Sequence, residues 1–175
     1  LQEYIPFFSS ALLQCGYLSK PIQAVLRKGK ERFVCDLRLL ERQRQMAQRG
    51  EQFARRAAIL RQAQDCLDLD KLAGLSGFDR RRICVPEQCA RLCPARSRCR
   101  YQRYLRESNG PDVSIQVCNH NYLLADAFHR KNGWRPLLRD YQAAVIDEAH
   151  RLPEAAEQML TQRLSVQALL QLARR

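Results

Sequence analysis

Four cysteines fall within residues 84–99, which read CVPEQCARLCPARSRC, whereas the other four cysteines of the chain lie far apart. A chain of 175 residues can bury a core without disulfides, so the thiols need another explanation. The sequence shows no basic-then-apolar signal pattern and no apolar run as long as a membrane span, so we expect a soluble, cytoplasmic protein. Clustered thiols in such a reducing compartment favour a metal site over a disulfide framework.

The spacing of the cysteines favours an irregular loop around one metal centre. Cys89, Cys93 and Cys99 form a C-x3-C-x5-C pattern, which can present three thiolates to a common point. Cys35, which follows the basic turn RKGKERFV, is the best candidate for a distant fourth ligand. Three clustered cysteines with one distant partner suit an iron–sulfur cluster better than zinc, which usually takes two close pairs. Cys84 competes for one ligand position, and zinc or simply reduced, buried thiols are the alternatives.

The charge of the chain points to nucleic acid. Thirty basic residues against eighteen acidic ones give a formal net charge of +12, and 25 of the basic residues are arginine. The guanidinium group binds phosphate in a bidentate fork and stacks on bases, so this excess favours nucleic-acid binding over a merely basic surface. The most basic window, 80–106, contains nine arginines and a single acid, and it includes the cysteine cluster.

Hydrophobic periodicity predicts a mainly helical chain with a small strand component. The segment IPFFSSALLQCGY and the stretch 37–67 have helical spacing, the latter with a break near Gly50, and IQAVL has the character of a short strand. Residues 113–117 alternate between apolar and polar side chains, as a half-buried strand does. Three further cysteines lie in apolar stretches that favour core positions: Cys15, Cys66 and Cys118.

The last third of the chain combines a predicted helix with a second predicted strand. Asn119 is placed to cap a helix over YLLADAFHR, because its side chain can accept a hydrogen bond from a first-turn amide. AAVID at 143–147 is an apolar run that we predict to be a strand, and residues 153–175 suggest two short helices, with Ser165 capping the last.

The apolar run AAVID leads directly into the residues DEAH. A buried strand that ends in two adjacent carboxylates is how nucleotide hydrolases hold magnesium, so Asp147 would bind Mg²⁺ and Glu148 would polarise the attacking water. His150 would couple the nucleotide site to neighbouring motifs. A phosphate-binding loop is not found in RKGKER, because Ala24 and Glu31 occupy the glycine and Ser/Thr positions of G-x4-G-K-[ST]. We therefore expect this segment alone to be inactive, and a simple strand-to-helix turn is the alternative.

In this order, the cysteine cluster, QVCNHNYLLAD and VIDEAHRLPEAA resemble the first motor domain of the XPD and DinG family of superfamily 2 DNA helicases. RKGKERFVCDLRL and CPARSRCRYQRYLRES resemble the beginning and the cysteine stretch of the iron–sulfur domain of that family, and LQEYIPFF resembles the segment after its second motif. Phe33 stands where the family often has Tyr, and the extra Cys84 leaves the identity of the second ligand open. The resemblance covers nearly the whole chain and is specific through the order and spacing of its motifs.

The resemblance implies a mainly α fold with a small α/β part, in which a helical iron–sulfur domain is inserted in a partial RecA-like motor domain. Motor-domain residues would occupy 1–34, the [4Fe–4S] domain 35–110, RecA-like strands with the DEAH motif 111–152, and the start of an arch-like helical region 153–175. The implied cluster ligands are Cys35, Cys89, Cys93 and Cys99. The implied pair for Mg²⁺ and ATP hydrolysis is Asp147 and Glu148.

The activity that the resemblance implies is ATP-driven, 5′ to 3′ DNA unwinding by the intact protein, as in DNA repair. The cluster would staple a basic module that binds single-stranded or forked DNA and acts as a strand-separating wedge. Phosphate contacts would be made by Arg82, Arg96, Arg98, Arg100 and Arg103, with Tyr101 or Tyr104 available to stack on bases. The competing prediction is a non-catalytic, zinc- or cluster-stapled nucleic-acid-binding module in which DEAH is a surface turn.

Overall fold

The chain was analysed as a computed structural model, in which regular structure is mainly helical with a small two-stranded parallel sheet, as the sequence predicts. The structure describes residues 4–48, 53–87, 89 and 93–161. Two compact units make up the chain, Leu1–Val117 and Cys118–Arg175. In the described ranges, no helix has both the length and the apolar character that crossing a bilayer requires.

In the first unit, four successive helices lie between the two strands of the sheet in the described part of the chain. The bounds of its elements are α1 (Tyr4–Gln14), β1 (Gln23–Arg27), α2 (Asp36–Ala47), α3 (Ala54–Gln62), α4 (Gly77–Ile83), α5 (Arg100–Ser108) and β2 (Val113–Cys118). Strands β1 and β2 pair with each other, which confirms both strand predictions in this unit. The stretch predicted to be helical over 37–67 contains α2 and α3, and the predicted break at Gly50 lies outside the described residues.

The core of the first unit forms where α2, α3 and α4 pack together with the loop between α3 and α4. Its buried members are Val34, Leu39, Met46, Leu60, Ala63, Leu69, Leu72 and Ile83. Leu39 and Met46 are spaced so that they face the same side of α2, which gives the helix one apolar face. Cys66 packs against this core as predicted, but Cys15 is exposed just beyond the end of α1, so its predicted core position is wrong.

A buried ion-pair network holds the three core helices at fixed positions. The carboxylate of Asp79 on α4 accepts hydrogen bonds from Arg42 Nε on α2 at 2.9 Å and from Arg56 on α3 at 2.7 Å. Ser76 caps α4, because its hydroxyl accepts from the Asp79 amide at 3.1 Å and donates to the Asp79 carboxylate at 2.9 Å. Burial would raise the pKa of Asp79, but the hydrogen bonds from Arg56, Arg42 and Ser76 outweigh it and hold that pKa below its usual range.

The second unit is built on α6 (His120–Lys131) and α7 (Leu152–Leu160). Asn119 caps α6, as predicted, through a 2.9 Å hydrogen bond from the Tyr122 amide to its side chain. The loop after α6 folds back because the buried carboxylate of Asp126 accepts from the amides of Leu137 and Leu138 at 2.7 and 2.8 Å. The predicted cap at Ser165 lies outside the described residues.

The prediction of a strand over residues 143–147 is wrong. Residues 143–146 have no regular structure, Asp147 lies in a turn, and the side chain of Val145 is 98% exposed. A strand forms only when a neighbouring strand accepts and donates its backbone hydrogen bonds, and no strand in the described part of the chain pairs with this segment. The apolar sequence is therefore exposed at the surface of the second unit.

Candidate metal centre and nucleic-acid interface

Cys35 is fixed in place by the backbone on both sides of it. The Val34 amide donates to the carbonyl of Leu67 at 2.9 Å, and the Cys35 amide donates to the carbonyl of Ile83 at 2.8 Å. The Phe33 carbonyl accepts from the Val85 amide at 2.9 Å, so the segment is held between two neighbouring stretches of chain. Because these bonds join residues far apart in sequence, they bring Cys35 close to the segment that leads into the cysteine cluster.

Two of the predicted ligands lie at the start of a helix. Cys35 is the residue before α2 and Cys99 is the residue before α5, and both have extended backbone conformations. The positive end of a helix dipole favours a thiolate at such a position, in the way that it favours a carboxylate. The helix starts therefore act in favour of ionised cysteine at these two positions, although burial acts against it at Cys35.

The sulfur of Cys35 interacts electrostatically with two of the other predicted ligands. Burial raises the pKa of the Cys35 thiol, the amides of Arg38 and Leu37 in the first turn of α2 oppose that rise, and the negative charges of Cys89 and Cys99 add to it. No side-chain hydrogen bond of ordinary geometry caps the helix at Cys35. The Cys89 and Cys99 side chains therefore lie within electrostatic range of Cys35.

Cys93 belongs to the same loop as Cys99. The Arg96 amide donates to the carbonyl of Cys93 at 3.0 Å, and the turn Arg96–Arg98 then leads into Cys99. Across the described ranges, no three His, Cys, Asp or Glu side chains gather in an arrangement that could hold a metal ion. The four-cysteine ligand set therefore stays a prediction.

Cys84, the competing ligand, makes different contacts. The backbone of Cys84 forms an isolated antiparallel bridge with Val34, and the Cys84 sulfur donates to the Arg81 carbonyl at 3.4 Å. The guanidinium of Arg38 lies 3.9 Å from the same sulfur and donates to the Cys84 carbonyl at 2.8 Å. Cys84 also packs against the hydrophobic core, so its side chain has a role in packing without any metal.

Arg100, which we predicted to contact phosphate, is engaged inside the protein. Its guanidinium forms an ion pair of 2.5 Å with Asp36, the first residue of α2. It also donates to the carbonyls of Ala63 at 3.2 Å and Gln64 at 2.5 Å, at the end of α3. Its donors are thus used to join the start of α5 to α2 and α3.

Tyr101 and Tyr104 pack α5 against the chain before Cys35. Their rings lie 5.2 and 4.6 Å from the ring of Phe33, which is itself buried. The Tyr104 hydroxyl donates to the Leu26 carbonyl at 2.7 Å, and the guanidinium of Arg27 lies 5.9 Å from the centre of the Tyr104 ring. The rings therefore fix α5 in place, a role that differs from the base stacking that we predicted for them.

The other predicted phosphate contacts are on the surface. The exposed residues of this group are Arg82, Arg96, Arg98 and Arg103. Arg96 and Arg98 lie in the turn before Cys99, while Arg103 lies on α5 and makes only a 3.9 Å contact with Glu107. These exposed guanidinium groups can bind phosphate in solution, and three of them, Arg96, Arg98 and Arg103, lie within four residues of the predicted ligand Cys99.

The DEAH residues form a strained turn in the second unit. Glu148 has a φ of 45°, the left-handed conformation that a residue with a side chain rarely adopts. Its amide donates to the Asp147 carboxylate at 2.9 Å, and its own carboxylate pairs with Arg151 at 3.0 Å. His120 Nε2 lies 2.9 Å from the Asp147 carbonyl, which links the beginning of α6 to this turn. Asp147, Glu148 and His150 are all exposed, so their side chains are open to a ligand.

Several important residues were not predicted from the sequence. Asp79 could have been found from the pattern Ser-x-x-Asp at residues 76–79, which is typical of a helix start. Asp36 and His120 gave no comparable signal, because their partners Arg100 and Asp147 are distant in sequence and only folding brings them together.

Part of the chain is similar to a known DNA helicase. No protein-family model matches the chain, and neither does any solved structure. ATP-dependent DNA helicase YoaA of Escherichia coli (strain K12) is 38% identical to the chain over 63 residues, which is 36% of this chain and 10% of that helicase. The chain therefore covers about a tenth of the length of the relative that it matches. At a coarse level, this partial match shows a relationship to ATP-dependent DNA helicases.

Proposed function

We propose that the intact protein is an ATP-dependent 5′ to 3′ DNA helicase of the XPD and DinG type, and that residues 35–110 form its iron–sulfur domain. The observation that carries the proposal is that Cys35 directly precedes α2, Cys99 directly precedes α5, and the Asp36–Arg100 ion pair joins the starts of these two helices. The partial identity to a DNA helicase supports the helicase part of this proposal.

In this proposal Cys35, Cys89, Cys93 and Cys99 hold a [4Fe–4S] cluster, with Cys84 as the alternative second ligand. The donor set fits such a group, because two of its thiols lie at helix starts and cationic side chains surround the cysteine loop. The cluster supplies a crosslink between the start of α2 and the loop before α5. Metal–ligand bonds in structural sites contribute on the order of 10 kcal/mol to folding, so the crosslink would keep the basic surface in one shape.

The chain's own arginines would bind single-stranded or forked DNA. Arg82, Arg96, Arg98 and Arg103 contact phosphates, while Arg100 keeps the surface in place through Asp36. Such contacts read no base sequence, so binding is non-specific and weakens steeply as salt is added. Translocation of the DNA strand past this rigid surface then separates it from its complement.

The second unit would contribute to the nucleotide site of the motor. Asp147 would help hold Mg²⁺, Glu148 would accept a proton from the water that attacks ATP, and His150 would couple this site to neighbouring motifs. The strained backbone at Glu148 supports a functional role for this turn, because such conformations cluster at active sites. The phosphate-binding loop would come from another part of the intact protein.

The test of the iron–sulfur domain is metal analysis of the intact protein purified without oxygen. We expect about four irons and four sulfides per chain, with a broad visible absorption band. Alanine variants of Cys35, Cys93 and Cys99 should lose the iron, whereas Cys15→Ala is the matched control because Cys15 is an exposed cysteine outside the cluster. Comparing Cys84→Ala with Cys89→Ala identifies the second ligand.

Two results would contradict the proposal. If Cys93→Ala kept the full iron content and the protease resistance of residues 30–105, the ligand assignment would be wrong. If the intact protein bound zinc and single-stranded DNA but neither hydrolysed ATP nor unwound a fork, it would be a non-catalytic nucleic-acid-binding module.

A further inference from the structure

Phe78 is an exposed aromatic residue in an unusual setting. It lies on α4, and 48% of its surface is accessible to solvent although the helix packs against the core on its other side. Its neighbours Asp79 and Ile83 on the same helix are buried. The ring is therefore held on a rigid, packed element rather than on a loop.

Three guanidinium groups surround this ring. The Arg82, Arg42 and Arg56 guanidinium carbons lie 4.6, 5.3 and 5.9 Å from its centre. Two of these arginines are fixed by Asp79, since Arg42 and Arg56 both bind its carboxylate. Arg82 is exposed, and so is Arg81 beside it on the helix. The ring thus contacts an anchored pair of guanidinium groups, from Arg42 and Arg56, and the exposed guanidinium of Arg82.

This charge pattern indicates what the ring can bind. An apolar surface of a partner protein would have to desolvate the nearby guanidinium groups, which is costly when they gain no acceptors. A nucleotide matches both the ring and the guanidinium groups. Its base can stack on the ring while its phosphate accepts hydrogen bonds from arginine. The surroundings of Phe78 therefore favour a stacked nucleotide as the occupant.

We propose that Phe78 is a base-stacking residue for single-stranded nucleic acid and that Arg81 and Arg82 bind the phosphates of the stacked nucleotide. This inference rests on the proposed DNA-binding function and assigns the stacking role to α4 instead of α5. On α5 the tyrosine rings are already packed against Phe33, whereas nearly half of Phe78 is open. Stacking accepts any base, so the residue would add affinity without sequence preference.

The experiment measures binding of a fluorescent oligothymidine strand to the intact protein over a range of salt concentrations. Phe78→Leu keeps apolar bulk over the Arg42–Asp79 pair but removes the aromatic face, and we expect it to weaken binding about 5- to 150-fold. Phe78→Trp should bind at least as well as the native protein. The control is Tyr17→Leu, which replaces another exposed aromatic residue, 80% accessible and outside the basic surface.

Salt and an abasic strand separate the role of the ring from that of the charges. Phe78→Leu should leave the slope of log affinity against log salt unchanged, whereas Arg82→Gln should reduce it by about 0.7. On a strand whose bases are removed, Phe78→Leu and native protein should bind equally, because only the base contacts the ring.

The outcomes distinguish this inference from the proposed function. If native protein binds the strand and Phe78→Leu binds equally well, or if the loss persists on the abasic strand, Phe78 does not stack on bases. If native protein fails to bind single-stranded DNA at all, the proposed function itself is wrong. If hydrogen exchange in α2 and α4 is the same in Phe78→Leu as in the native protein, a loss of binding does not come from unfolding.

Discussion

Asp36 and Arg100 form a 2.5 Å ion pair, and each of them directly follows a cysteine that we assign to the metal centre. Asp36 is the first residue of α2 and Arg100 the first residue of α5, so the pair joins the starts of the two helices. The ion pair therefore sets the separation of Cys35 and Cys99 through the protein itself, before any metal is considered.

Breaking the Asp36–Arg100 ion pair should destabilise the starts of both α2 and α5, where the proposed ligands Cys35 and Cys99 lie. Arg100→Gln removes the ion pair and leaves the carbonyls of Ala63 and Gln64 with fewer donors, which should cost about 1–3 kcal/mol. We expect faster hydrogen exchange at the starts of α2 and α5 and quicker loss of iron in air. The matched control is Arg103→Gln on the same helix, whose 3.9 Å contact with Glu107 is largely exposed and should contribute little. Equal iron retention in the two variants would show that the Asp36–Arg100 pair does not hold the site.

Removing the buried carboxylate of Asp79 should destabilise the helical core. Asp79→Asn leaves the buried guanidinium of Arg42 without its counter-charge, and loss of one partner of a buried pair costs about 3–5 kcal/mol. Exchange of the amides in α2, α3 and α4, measured by mass spectrometry, should accelerate about 100- to 4,000-fold. Asp112→Asn is the control, because its 3.5 Å pair with Lys20 is exposed on both sides. An effect of Asp79→Asn no larger than that of the control would contradict a structural role for the network.

The network around Asp70 predicts a dependence on pH. Burial would raise the pKa of this carboxyl, but hydrogen bonds from Lys28, Arg80 and Arg32 lower it from 3.8 to about 2. Since the folded pKa lies below the unfolded value, the stabilisation is fully present above about pH 4 and is lost as the pH falls towards about 2.

Comparing the protection factors of the native protein and of Asp70→Asn isolates this effect. A protection factor compares the observed exchange rate with the intrinsic rate of each sequence at each pH. The difference in protection of the turn Leu69–Lys71 should be constant at neutral pH and should shrink progressively below about pH 4. Asp65→Asn provides an exposed comparison in the same loop. A difference that persists unchanged to low pH would mean that the carboxylate charge of Asp70 does not stabilise the turn.

The sequence predicted the features that depend on neighbouring residues. The helix cap at Asn119 and the alternating strand β2 follow from short patterns, because capping and pleating are decided within a few positions. The Asp36–Arg100 pair connects residues 64 positions apart, and no local pattern indicates which of many arginines will meet an acid. The same limit explains why base stacking, with packing only as the alternative, was the leading prediction for Tyr104.

At the apolar segment before DEAH, the sequence predicted a strand that the structure does not contain among the described residues. Its composition resembles that of a buried strand, and a pattern cannot report whether a pairing strand is present. Val145 is almost fully exposed in the structure, so the strand propensity of the segment is not expressed among the described residues. The local turn at Glu148, by contrast, forms without the strand.

That turn gives the last prediction, which concerns ATP hydrolysis by the intact protein. Glu148→Gln keeps the size of the side chain but removes the base, so hydrolysis should fall about 100- to 10,000-fold while nucleotide binding persists. Glu154→Gln is the control, since Glu154 is an exposed acid in the first turn of α7 that contacts Gln158 at 3.2 Å. Hydrolysis should be followed as phosphate release with and without single-stranded DNA. Because the left-handed backbone aims Glu148 in a direction fixed by the turn, a variant with normal hydrolysis would show that this carboxylate does not act on the attacking water.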